Sequence, residues 1–100
     1  MLIILGYMQI PPPLLTLFMD EINALAKSVR QRAGNLSYDA AVQEPLTGKI
    51  VIAERWEDQV ALSTHLDAPD TLAFIARWQP LMKGAVLKYD VLNERALMAV

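Results

Sequence analysis

Two hydrophobic periods alternate along the chain. Leu2 to Ile10 is an apolar run broken only by Gly6 and Gln9 and closed by Pro11-Pro12-Pro13. That length and bounding predict a strand buried on both faces. The proline triplet ends the strand and can supply a first helical turn. Leu15, Phe18, Ile22, Leu25 and Val29 then recur at spacings of 3, 4, 3 and 4, the apolar stripe of an amphipathic helix. Arg30 and Arg32 suit the negative end of that helix, and Gly34 is placed to stop it.

From Asn35 to Glu44 the period becomes two, with Leu36, Tyr38, Ala40 and Val42 on one side and Ser37, Asp39, Ala41 and Gln43 on the other. Glu44-Pro45-Leu46-Thr47-Gly48 reads as a hairpin connection. A third strand, Lys49 to Glu57, places Ile50, Ile52, Glu54 and Trp56 on one face and Val51, Ala53 and Arg55 on the other. Asp58 is an N-cap for a short helix carrying Ala61, Leu62 and His65 on one side. Ala68-Pro69-Asp70 breaks that helix and starts another, Thr71 to Leu81, with Leu72, Ile75 and Trp78 inward and Phe74 beside them. Gly84 introduces a last strand, Ala85 to Asn93, and the tail from Glu94 to Val100 carries no assignment.

The order β-α-β-β-(α)α-β is the split βαβ, ferredoxin-like α+β pattern, an antiparallel sheet with its helices on one face. The expected unit is one domain over residues 1–100, with its core at about 2–94. A sheet of this kind normally alternates apolar and polar positions on its open side. Here Ile3-Ile4-Leu5 and Ile50-Val51-Ile52-Ala53 are apolar on both sides, and 54% of the 100 residues are hydrophobic. An open face of that character predicts a homodimer, sheet against sheet about a two-fold axis. The apolar N-terminus has no basic leader and no small-residue cleavage site, and no stretch reaches the ~18 apolar residues of a membrane span. A cytoplasmic protein is expected.

Charge and composition narrow the chemistry. Nine basic and eleven acidic residues give a net charge of −2, which speaks against a nucleic-acid or anionic-membrane partner. With no cysteine and one histidine, thiolate chemistry is excluded and no metal site is expected. Four glycines, none in a GxG arrangement, supply no dinucleotide cradle.

The candidate side chains each admit a packing reading and a chemical one. Trp56, on the helix-facing side of its strand, is either core or a flat wall for an aromatic ligand between sheet and helices. His65 points inward and is either a buried packing residue or a base whose pKa lies near working pH. Glu54, a carboxylate on the same apolar face as Trp56, needs a partner or stays protonated. Tyr7 shares a side of the first strand with Ile3 and Leu5; if that side faces the helices, its hydroxyl reaches the pocket and orients a substrate oxygen. Tyr38, Phe74 and Trp78 are pocket-lining candidates by phase, or core.

The segments Ala33-Gly34-Asn35-Leu36-Ser37-Tyr38, Ala53-Glu54-Arg55-Trp56-Glu57-Asp58-Gln59-Val60-Ala61-Leu62 and His65-Leu66, with Pro69 beyond, resemble the antibiotic biosynthesis monooxygenase (ABM) family. The pattern is a glycine-led second strand, E-x-W-x-(D/S) closing the third, and A-L-x-x-H in the next helix. The resemblance spans about residues 2–94. It implies a dimeric α+β barrel and a cofactor-independent monooxygenase, without metal, flavin or haem. The implied substrate is a small quinol- or anthrone-like aromatic, and the oxidant is molecular oxygen. His65 and Tyr7 would be the catalytic residues, and Trp56, Glu54, Tyr38, Phe74 and Trp78 would bind substrate. Haem degradation, also found among such relatives, is not expected, because Tyr7 stands where they place asparagine and the helix from Thr71 carries no histidine. The alternative reading is a non-catalytic dimer, either a binder of small aromatic ligands or an interaction module.

Overall fold

The computed structural model describes residues 1–98. It comprises β1 (Leu2–Gln9), α1 (Leu15–Val29), β2 (Asn35–Glu44), β3 (Lys49–Trp56), α2 (Gln59–Leu66), α3 (Pro69–Trp78) and β4 (Lys83–Asp90). Short 3-10 turns at Pro12–Leu14 and Gln79–Leu81 flank the helical layer. The strands form one sheet in the order β2-β3-β1-β4, with every neighbouring pair antiparallel. This is the ferredoxin-like α+β architecture that the order of elements predicts.

The helical stripe is the backbone of the core. Leu15, Phe18, Ile22, Leu25 and Val29 of α1 are all buried, and they cluster with Ile50, Ile52 and Trp56 of β3 and with Leu2 of β1. Each such burial is worth about 1.5–3 kcal/mol. Gly34 ends the turn after α1 at φ +83°, a conformation that disfavours a side chain, and a Cβ there would lie 2.4 Å from the Ala61 Cβ. The turn therefore packs directly on α2. Asp58 caps α2 by accepting from the Ala61 backbone N–H at 2.8 Å, as its position suggests.

Several expectations need adjusting. The third helix starts at Pro69 rather than Thr71 and gives way to the 3-10 turn after Trp78. Its inward residues are Thr71 and Trp78, whereas Leu72 is 51% exposed. Leu72 lies about 100° around the helix from Thr71, so one of them inward turns the other out. The last strand begins two residues earlier than expected, at Lys83, and ends at Asp90. Glu94 in the tail ion-pairs with Arg55 at 2.8 Å; residues 99–100 lie outside the described part of the chain.

The orientation of β1 decides which candidates can meet. Leu2, Ile4 and Met8 join the core, so the alternating set Ile3, Leu5 and Tyr7 lies on the helix-free face. Leu5 and Tyr7 are 42% and 46% exposed there, so within one chain β1 is buried on a single face. α1 packs on β2 and α2 on β3, whereas β4 is exposed along its whole length. Among the described residues no helix is long and apolar enough to cross a membrane.

Candidate functional site

Four of the predicted side chains converge where β2, β3 and α2 meet. Trp56 is completely buried, and the His65 ring stacks on it with centroids 4.7 Å apart and planes 27° off parallel. Tyr38 meets the same imidazole edge-on at 5.7 Å. On its other margin the Trp56 indole Nε1–H donates to Glu54 Oε1 at 3.0 Å. Tyr38 is the register partner of Glu54 across β2 and β3. A strand's period of two puts Glu54 and Trp56 on one face, and the helical position of His65 lowers its ring onto that face.

Arg32, which the sequence suggests only as a charge at the helix end, reaches into this group from the turn after α1. Its Nη1 donates to His65 Nδ1 at 2.5 Å and to Thr71 Oγ1 at 2.9 Å. Its Nη2 ion-pairs with Asp70, which also accepts from the Ser28 hydroxyl at 3.1 Å. An Nδ1 that accepts from a guanidinium carries no proton, so the neutral ring bears its hydrogen on Nε2. Burial first, and the Arg32 charge second, push the His65 pKa from 6.5 down to about 4, with Asp70 opposing. The expected imidazole base is therefore not what this geometry presents. One ring nitrogen is engaged and the other is already protonated, and the ring serves as a stacked support for Trp56.

The other carboxylate in the cluster behaves oppositely. Burial raises the Glu54 pKa above 4.5, although the Trp56 indole bond works the other way. Burial, followed by the neighbouring Glu54 charge, raises the Tyr38 pKa as well, so the phenol stays neutral.

Glu54 also opens onto a cavity of about 290 Å³ between the sheet and α2, lined by Ile4, Gln59, Leu62, Leu66, Val86 and Lys88. Its walls are mostly apolar, and its volume sits at the lower end of small-ligand sites. A larger concavity of about 420 Å³ lies along α2 and the turn after α1, lined by Arg32, Gly34, Glu57, Asp58, Thr64 and His65. No sheet residue lines it, and the Arg32 nitrogens facing it are already committed to His65, Thr71 and Asp70.

The remaining candidates stand apart. Tyr7 is on the opposite face of the sheet from His65, under the Lys49 ammonium at 4.4 Å from its ring centroid. Its hydroxyl cannot reach a pocket on the helical side. Phe74 and Trp78 form a second aromatic cluster with Phe18, at centroid distances of 5.5 and 5.0 Å from it. The Trp78 indole donates to Glu21 at 3.3 Å, tying α3 to α1. Trp56 does not line the cavity beside Glu54; it holds the carboxylate from behind.

The split βαβ sheet thus carries a Glu-x-Trp pair closing β3, with a histidine stacked on it from α2. Residues 1–77 match the family model described as antibiotic biosynthesis monooxygenase, and the chain belongs to that family. Over 84 residues it is 24% identical to the Bacillus subtilis (strain 168) protein named "Putative monooxygenase YcnE", covering 84% of this chain and 88% of that one. A Deinococcus radiodurans structure superposes with a TM-score of 0.87 at 22% identity, covering 99% of this chain and all (100%) of that one. Rv0793 from Mycobacterium tuberculosis superposes at 0.77 with 23% identity, covering 96% of this chain and 100% of that chain.

Proposed function

We propose that this protein is a monooxygenase of a small, electron-rich aromatic substrate, a quinol or anthrone, bound between the sheet and α2. The observation that carries the reading is a half-buried carboxylate, Glu54, held by the Trp56 indole at the wall of a mostly apolar cavity of about 290 Å³. Membership of the family supports the oxygenase class.

The chemistry asks little of the protein. Glu54 accepts the acidic proton of the bound ring, and the resulting anion passes an electron to dioxygen. The apolar floor and wall, Ile4 and Leu62, shield the buried side of the radical pair until carbon and oxygen combine. For an anthrone, a ring CH2 and O2 become C=O and water, one oxygen atom to each product. A carboxylate with a raised pKa suits the role, because it narrows the gap to a phenol of pKa about 10. Its low-polarity setting also raises the energetic weight of each hydrogen bond to the developing anion.

In this reading His65 contributes by holding Trp56, and through it Glu54, in place. Tyr7 belongs to a different surface. Leu5, Tyr7, Leu87 and Tyr89 leave 42%, 46%, 54% and 47% of their area exposed on the helix-free face, and a second copy of the chain is the proposed cover.

Oxygen uptake by chelator-treated protein with reduced naphthoquinols and anthrones tests the reading. Glu54→Gln keeps the shape and should lower turnover by ~10²–10⁴-fold while the ring still binds. In the wild type the acid limb of activity should lie above the 4.5 of an ordinary glutamate. Uptake no faster than autoxidation, or a Glu54→Gln rate equal to wild type, would overturn it.

A further inference from the structure

Resting on the reading of the Glu54 cavity as the substrate site, we propose that Lys88 selects ring substrates that carry a carboxylate on the end remote from the reacting hydroxyl. The strand register supplies the argument. Ile4 pairs with Glu54 across β3 and with Lys88 across β4. Glu54, Ile4 and Lys88 therefore form one cross-strand row on the helix-facing side, with the two charged residues two strand spacings, about 10 Å, apart. All three line the cavity, Ile4 as its floor.

The ends of this row are chemically opposite. Glu54 is half-buried, bonded to the Trp56 indole, and suited to a hydroxyl. Lys88 is on the exposed edge strand, where its ammonium donates to Gln59 Oε1 at 2.8 Å. Among the described residues that neutral amide is its only side-chain partner, and none of their carboxylates lies within ion-pair reach. By contrast Arg30, Arg32, Arg55 and Arg77 each pair with an acid. Gln59 comes from the first turn of α2, so the Lys88–Gln59 bond spans the mouth from one wall to the other. A flat ring over Ile4, its hydroxyl at Glu54, would present a far-end carboxylate to an ammonium and an amide already turned toward each other. Two like-charged carboxylates at one end would repel, so the acid belongs at the Lys88 end.

Calorimetric titration of the full chain with 6-hydroxy-2-naphthoate and with 2-naphthol, which share a ring and differ by the carboxylate, tests the proposal. At pH 7.5 and low salt the naphthoate should bind about tenfold tighter, the scale of one hydrogen bond to a charged group. Added salt should narrow the margin. Lys88→Met should weaken the naphthoate to the level of the naphthol and leave the naphthol unchanged, and Lys88→Arg should keep the preference. Equal affinity of the wild type for both compounds, or a preference that survives in Lys88→Met, overturns the role of Lys88 while the cavity stands. Binding of neither compound overturns the cavity as the substrate site together with this inference.

Discussion

His65 is the chain's one histidine, so its titration can be followed without ambiguity. In the folded chain its pKa is about 4 against 6.5 for the exposed imidazole. Between those values the unfolded chain binds a proton that the folded chain refuses. The associated stability is therefore complete above about pH 6.5, falls as the pH drops toward 4, and falls no further below that. At about 1.4 kcal/mol per pH unit, the difference amounts to about 3 kcal/mol, a large fraction of a small domain's stability. Glu54 acts with the opposite sign: its raised pKa makes the folded chain take up a proton first, so it adds relative stability as the pH falls. Comparison with His65→Asn, whose amide oxygen can still accept from Arg32, separates the two, since Glu54 is common to both proteins. Urea unfolding from pH 7 to pH 4 should show wild type losing about 3 kcal/mol relative to His65→Asn. Ring 15N shifts should report the neutral Nε2–H form from pH 7 down to about pH 5, with protonation setting in only near pH 4. An imidazole titrating near 6.5, or identical pH slopes for the two proteins, would refute the account of Arg32 and burial as its cause.

Gly34→Ala should lower stability by about 3 kcal/mol, from a strained positive φ and an overlap with Ala61, and so lower Tm by ~15 °C in thermal denaturation. Adding Ala61→Gly should recover the overlap but not the strain; a loss under 1 kcal/mol for Gly34→Ala would contradict the contact. On the helix-free face Leu5 and Leu87 are register partners, so Leu5→Lys with Leu87→Lys should convert a two-chain sedimenting species into a monomer at micromolar concentration. A wild-type monomer under the same conditions would remove the dimer.

The parts legible in the sequence were those whose signal is local. The α1 stripe, the Asp58 cap and the shared face of Glu54 and Trp56 each follow from a period or a turn of a few residues, and each stands in the structure as read. β1 could not be oriented from its own pattern, because apolar residues at successive positions leave period two without a phase, and Tyr7 was consequently open to either face. The phase of α3 shifted for a related reason: Thr71 takes a buried place by bonding Arg32, which a hydropathy pattern does not reward. Arg32 itself lies 33 residues from His65, and nothing near either position announces the contact. Lys88 becomes informative only once the strand order puts it beside Ile4, a fact of topology rather than of spacing.

β4 is an edge strand exposed along all eight residues, with β1 its one sheet neighbour, yet it supplies one wall of the cavity. The opposite wall, α2, is fastened to the packed half of the domain through Leu62 and His65. The two walls thus belong to regions of different local stability. A bound ring bridging both walls would slow amide exchange along β4 more than anywhere else in the sheet. On the proposed reading, occupancy would be readable in the backbone of the strand that bounds the cavity.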